Sequence, residues 1–293
     1  ADLDLAASDV VKSAFGHAGQ KCSAASLVIL VGSVAKSERF RRQLVDAATS
    51  LRVGYPDQPQ SVMGPIIEPA NGKLLNALTT LGEGESWAVE PRKLDGTGKL
   101  WSPGVRSGVR RGSYFHLTEF FGPVLGVMTA ETLEEAIAIQ NQIEYGLTSG
   151  LHSLNPEEVG LWLDTVQAGN LYVNRGITGA IVQRQPFGGW KKSAVGAGTK
   201  AGGPNYLVGL GEWASKPSAA AGKAAEHAGV RRLEQAAQSF LSDGELAPLQ
   251  RALASDALAW AEEFGTARDG SGLSAERNVF RYRPLPVTVR LSE

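Results

Sequence analysis

The sequence has 293 residues, 43% hydrophobic and 20% charged, with a formal net charge of -1, which is material for one large or two ordinary globular domains. Its interspersed, nearly balanced charge leaves no electrostatic footprint for nucleic acid or an anionic membrane, and no apolar run approaches the roughly 20 residues that span a bilayer. A single cysteine rules out an internal disulfide and fits a reducing compartment; the acidic start lacks the basic region of a secretory signal.

Along the chain, the first residues read as helix, with Asp9 as a cap for VVKSAF and Gly16 and Gly19 as breakers. A helix at the very start and no initiator methionine make the chain read as a piece of something longer. SLVILVG, residues 26–32, is apolar throughout, the pattern of a strand covered on both faces. Phe40, Leu44, Ala47 and Leu51 predict a helix over 36–51, and another is expected over 69–81. Residues 82–113 read as loops with short strands. GPVLGVM, 122–128, is a second buried strand; Thr132 and Glu135 form a capping box ahead of EEAIAIQNQ. LTSGLHS is a third strand. Asn155, with Pro156 at N1 and Glu158 at N3, starts a helix that Gly169 ends, and LYVN at 171–174 is a fourth strand. Strands alternating with helices predict an α/β fold with an open, mainly parallel twisted sheet and flanking helices.

Residues 175–204 are Gly-rich and aperiodic, yet include Ile177, Ile181, Val182, Phe187 and Trp190; an ordered, functional loop is expected. Beyond Ser215 the composition shifts. KPSAAAGKAAEHAG reads as a linker or frayed helix start. Val230, Leu233, Ala237, Phe240 and Leu241 mark one amphipathic helix; Leu249, Leu253, Ala257, Trp260 and Phe264 mark a second. VTVRL near the end has strand character. The expected division is therefore an α/β domain over 1–215 and a mostly helical extension over 216–293.

Little conventional site chemistry is on offer. The four histidines are scattered without ligand spacing, so no metal site is expected. There is no phosphate-cradling loop and no strand–GxGxxG–helix unit; if a nucleotide is used, its main binding domain lies elsewhere. Cys22 remains. Most lone cysteines are small buried hydrophobes, but Gly19, Ser23, Ala24 and Ala25 leave open approach around this one. A turn after a helix also presents N–H groups to an oxyanion. A cysteine hydrolase or acyltransferase would need a histidine base; His17 is near in sequence, but nothing fixes it to Cys22.

Three segments carry a resemblance. GHAGQKCSAAS (16–26) resembles the catalytic cysteine segment of the aldehyde dehydrogenase superfamily. TEFFGPVLGV (118–127) is similar to its ribose-holding glutamate motif, and QPFGGWKKSAVG (185–196) to its late Pro-Phe-Gly-Gly motif. They occur in the family's order. NRGITGAIVQRQPFGG (174–189) and WSPGVR (101–106) resemble the glutamate semialdehyde (pyrroline-5-carboxylate) dehydrogenase branch, in particular the C-terminal part of bifunctional proline utilisation A proteins; AERNVFRYRPLP (275–286) resembles the continuation of their long members.

The resemblance implies roles. Cys22 would attack the aldehyde of glutamate semialdehyde, and its backbone N–H would help bind the oxyanion. Glu119 would hold the ribose of NAD and Phe121 would pack near the nicotinamide. Thr178, Gly179 and Ala180 would anchor the substrate carboxylate, Ser23 would add a hydroxyl donor and Phe187 would wall the substrate stem. Arg175 and Arg184 rank lower as a carboxylate clamp, since flanking arginines are usually solvated or structurally paired. The NAD-binding domain, the general-base glutamate and an oxyanion asparagine would lie upstream, outside this chain, as would FAD in a proline dehydrogenase domain. Further implied partners are those upstream domains and, through NYLVGLGEWAS (205–215) as an exposed strand, a second copy. The implied setting is the bacterial cytoplasm. The competing readings are another NAD-dependent aldehyde dehydrogenase, a non-catalytic structural or oligomerisation domain of the same fold, and the cysteine hydrolase.

Overall fold

The computed structural model of the protein describes residues 1–196, 198–214 and 227–285. They fall into two compact units: Ala1–Ala180 with Phe187–Asn205, and Ile181–Pro186 with Tyr206–Glu293. The first unit runs α1 (Leu3–Phe15), β1 (Leu27–Val31), α2 (Glu38–Thr49), α3 (Gly72–Thr79), β2 (Ser86–Val89), β3 (Gly104–Ser107), a one-turn α4 (Tyr114–Leu117), β4 (Val124–Ala130), α5 (Leu133–Asn141), β5 (Tyr145–Gly146), β6 (Thr148–Leu151), α6 (Pro156–Thr165), β7 (Asn170–Val173) and β8 (Trp190–Lys191). One sheet has the order β1-β4-β3-β2, with β1, β4 and β3 parallel and β2 antiparallel at one edge. β6 and β7 form a separate parallel pair, and β5 pairs antiparallel with β8. The α/β class and the mainly parallel pairing are as expected. The separation of β6–β7 from the larger sheet was not legible from the pattern. β1 and β6 instead line a common cavity of about 480 Å³.

The local chemistry explains where elements begin and end. α1 starts earlier than Asp9: the Asp2 carboxylate accepts the N–H groups of Asp4 and Leu5, each at 3.1 Å, an N-cap that satisfies two of the helix's orphan donors. Asp9 lies inside the helix and faces His152, whose Nε2 is 3.5 Å from Asp9 Oδ2; burial pushes the His152 pKa down. At α5 the Thr132 hydroxyl accepts from Glu135 N as expected, but the Glu135 carboxylate returns to Glu131 N, one residue earlier than a capping box requires. α6 starts at Asn155 as expected and stops at Thr165, because Val166 turns to an extended conformation. Gly169 therefore does not end it; it lies beyond, against the Gly188 carbonyl.

The core is built on β4, where Val124, Leu125, Val127 and Met128 are all buried, as an apolar run in a two-sided sheet demands. Phe15 of α1 and Phe40 and Leu44 of α2 belong to the same cluster. Next to the edge strand β2, Arg106 of β3 meets Glu85 at 2.7 Å, with side chains 4% and 3% exposed. The guanidinium also donates to the Ala77 and Thr80 carbonyls and lies 4.7–4.8 Å from the Phe115 and Trp87 ring centres. Removing one partner of a buried pair strands the other charge. Glu85→Gln is therefore expected to destabilise the fold by about 2 kcal/mol, read as a drop in the urea midpoint; an unchanged midpoint refutes this account of the pair.

In the second unit, α7 (Ala228–Gln238) and α8 (Asp243–Ala259) are joined by Ser242, which with Glu245 makes a complete capping box. A π turn follows over Trp260–Phe264, then β9 (Arg268–Asp269) and β10 (Val279–Phe280), paired antiparallel. Phe240 and Leu241, expected on the first helix, lie past its end, and Phe240 is 86% exposed. Tyr206–Leu210 is a 3-10 turn, so the strand expected within 205–215 does not form among the described residues. The VTVRL segment and most of the linker fall outside the described residues. Arg184 pairs with Glu276 at 3.2 Å, and Gln185 donates to the Asn278 side chain; this ties residues 181–186 to the β9–β10 hairpin.

Candidate active site

The loop after α1 is wound the wrong way for L-residues. His17, Ala18 and Gly19 have φ of 55°, 53° and 69°, and such left-handed conformations cost non-glycine residues about 1–2 kcal/mol each. Outliers of this kind collect at functional sites, where packing over-determines them. The turn carries the chain out to Cys22, whose thiol is exposed, and back in at Ser23, which is 6% exposed. The Thr148 hydroxyl reaches the Ser23 carbonyl at 3.4 Å, and Ala25 N donates to Ser13 O at 3.0 Å. His17 is exposed, and among the described residues no hydrogen bond joins its ring to Cys22, so the dyad a cysteine hydrolase needs is not formed.

Residues 118–123 arrive beside this loop. Thr118 is extended, so side chains alternate: Phe120 turns in to stack on Phe115 at 4.7 Å, while Glu119 and Phe121 turn out. Phe121 then takes a left-handed φ of 57° and the chain enters β4 through Gly122 and Pro123. Gly122 packs directly on Gly19, and a Cβ on Gly19 would overlap the Gly122 carbonyl oxygen. One side chain bridges the two loops. Gln20 Nε2 donates to Phe121 O at 3.1 Å, and its Oε1 accepts Ile67 N at 2.8 Å. The exposed carboxylate of Glu119 and the exposed ring of Phe121 therefore stand on a segment bound to the cysteine loop. A carboxylate that can accept from ribose hydroxyls, beside a flat apolar ring, is chemistry that suits a nicotinamide ribose, so these residues fit that cofactor.

All of the Gly-rich stretch but residue 197 lies among the described residues. Ile177 N donates to the buried Ser13 hydroxyl at 3.0 Å, pinning the start of the loop to α1. Thr178 and Ala180 are half-buried; Gly179 is exposed with a φ of 82°. Phe187 is half-buried and pairs its backbone with Ala201. Arg175 stacks over Tyr172 at 4.9 Å and Arg184 is paired with Glu276; both have structural partners. The geometry thus joins the cysteine loop to the Glu119–Phe121 segment and ties the entry to the Thr178–Ala180 loop onto α1.

Four contributors escaped the sequence reading: Gln20, Ser13, Gly122 and Lys200. Gln20 stood in the quoted motif but reads as an ordinary loop polar residue. Lys200 reads as a solvated cation, yet its ammonium sits inside the stretch, donating to Gly169 O, Gly188 O and Asn170 Oδ1, and burial pushes its pKa down to about 8. It clamps the turn that follows Phe187.

An exposed thiol reacts with a small alkylating agent without unfolding. Cys22 in the native chain is expected to be modified by iodoacetamide within about tenfold of its rate in the urea-unfolded chain, followed by mass spectrometry. Protection far beyond that would mean the thiol is buried in solution.

A family model described as the aldehyde dehydrogenase family matches residues 1–210. The 1-pyrroline-5-carboxylate dehydrogenase of Bacillus subtilis (strain 168) is 38% identical over 209 residues, which cover 71% of this chain and 40% of that protein. Among solved structures, Proline Utilization A (PutA) from Corynebacterium freiburgense is 55% identical, with a TM-score of 0.87 over 97% of this chain and 28% of that one. A 1-pyrroline-5-carboxylate dehydrogenase from Thermus with bound NAD is 36% identical, with a TM-score of 0.62 over 71% of this chain and 40% of its own. The chain spans about two fifths of the length of the curated relatives it matches.

Proposed function

Because the chain belongs to the aldehyde dehydrogenase family, we propose that it carries the thiol half of an NAD-dependent dehydrogenase that oxidises L-glutamate γ-semialdehyde to glutamate in proline catabolism. The observation that carries this reading is the junction of the exposed Cys22 loop with the Glu119–Phe121 segment through Gln20 and the Gly19–Gly122 contact. The names of the relatives supply the substrate. Because they are much longer than this chain, the activity is proposed for the natural protein containing it.

In this reading the Cys22 thiolate adds to the aldehyde carbon, and the oxyanion is held by the Cys22 N–H. Loss of hydride from that carbon leaves a thioester on Cys22, and water hydrolyses it to the carboxylate and the free thiol. When bound, oxidised NAD supplies the hydride acceptor; Glu119 would accept the ribose hydroxyls and Phe121 would pack near the nicotinamide. Thr178, Gly179 and Ala180 offer backbone N–H groups to the substrate carboxylate, Ser23 adds a hydroxyl donor and Phe187 walls the aliphatic stem. The base that activates water, the second oxyanion donor and most of the NAD site are assigned to residues outside these 293, as is FAD, to a proline dehydrogenase region. The 205–215 segment is assigned to contact with a second copy.

A substrate comparison tests the assignment. The natural protein should reduce NAD+ with glutamate semialdehyde at least about tenfold more efficiently, in kcat/KM, than with an aldehyde of equal length lacking the α-carboxylate, the discrimination expected of a site that pairs a polar group. Equal efficiency would sink the carboxylate anchor and with it the substrate assignment.

A further inference from the structure

The bond that joins the two halves of the candidate site is made by one carboxamide, and its geometry is specific. Ile66 is 2% exposed and its N–H donates to Lys99 O, while Ala70 N donates to Gly98 O. The 66–70 loop is thus fixed to the core on either side of Ile67. Gln20 anchors its oxygen on Ile67 N–H at 2.8 Å and presents its NH2 to Phe121 O at 3.1 Å. Phe121 is held left-handed with φ of 57°, a conformation that an aromatic residue does not choose unaided. Gly122, the next residue, is wedged between Gly19 and Leu74. Only a side chain that both donates and accepts at its tip bridges an N–H and a C=O in this way.

Resting on the roles assigned above to Cys22, Glu119 and Phe121, we propose that Gln20 is a positioning residue that locks the Glu119–Phe121 segment to the nucleophile loop, so that the groups that hold the cofactor and the thiol that holds the substrate keep one fixed relation. Gln20 touches neither ligand in this account. It acts through the Phe121 carbonyl.

Gln20→Glu dissects the two halves of the bridge: a carboxylate still accepts from Ile67 N–H but opposes the Phe121 carbonyl. Gln20→Met removes both bonds at similar volume. Amide exchange on the 293-residue chain is read over 66–70 and 118–124. In Gln20→Glu, exchange over 118–124 is expected to rise about tenfold while 66–70 stays as in wild type; in Gln20→Met both rise. In the natural protein, KM for NAD+ should rise about tenfold in Gln20→Glu with kcat within about threefold.

If Gln20→Glu leaves 118–124 protected, the lock does not exist and the proposal fails. If exchange rises but KM for NAD+ does not, the bond is structural only and the proposal also fails. Failure of the underlying reading is separately visible, because Cys22→Ser would then retain NAD-dependent turnover whatever the exchange data show.

Discussion

Replacing Cys22 by Ser in the natural protein is expected to lower kcat for aldehyde oxidation by at least about a thousandfold, the scale at which loss of a covalent nucleophile is felt. The substitution changes one atom of an exposed residue, so the folded state should keep its urea midpoint. What is lost is the nucleophile: a serine hydroxyl near neutral pH carries almost no anion, and among the described residues no hydrogen bond joins position 22 to a histidine that could make one. Acid quench of wild type mixed with NAD+ and substrate should trap the acyl thioester as a mass increase on Cys22. Residual turnover near wild type in Cys22→Ser would sink the proposed mechanism. A companion measurement uses the 293-residue chain alone. It is expected to give no NADH from glutamate semialdehyde, because the base and most of the cofactor site are assigned elsewhere; robust turnover would overturn that division of labour.

Gly19→Ala is expected to destabilise the fold by about 4 kcal/mol. Two terms add. A left-handed alanine costs about 1–2 kcal/mol, and forcing a methyl into closed packing costs about 1–3 kcal/mol; at φ 69° the new Cβ would overlap Gly122 O and crowd Ala14 O. Gly16 is the control. It lies three residues earlier with φ of −53° and open space around its missing Cβ, so Gly16→Ala should be neutral or slightly stabilising. Urea midpoints of the two variants separate the contact from a general intolerance of the loop. Equal effects would refute the close approach of residues 19 and 122.

The sequence pattern reached as far as local periodicity and composition reach. The buried strand expected at 122–128 and found at 124–130 was legible because Val124, Leu125, Val127 and Met128 fill both faces with apolar side chains, and the helix at 38–49 because its apolar stripe is regular. Asp9 misled as a cap: a capping carboxylate and a mid-helix carboxylate facing a histidine look alike until the partner is known. The strand expected within 205–215 rested on resemblance rather than on alternating residues, and Tyr206–Leu210 instead forms an exposed 3-10 turn. In the site, Cys22 and Glu119 came from motif resemblance, which carries no distances. Gln20 and Lys200 were missed because all of Gln20's partners and two of Lys200's three are backbone atoms of other segments, and a backbone group has no signature in a sequence.

That remoteness sets the order of events when the chain folds. The hydrogen bonds that close the site join residues 47, 101 and 164 positions apart, from Gln20 to Ile67, Gln20 to Phe121 and Ser13 to Ile177. Loops of such length are closed by forming the parallel sheet between them, and non-local pairing of this kind is slow. The left-handed turn before Cys22 carries one local bond, from Gln20 N to His17 O at 2.9 Å, too little to offset its backbone strain until those segments arrive. Early in folding, the thiol therefore sits on an unstructured stretch, and its final environment is among the last parts of the molecule to be built.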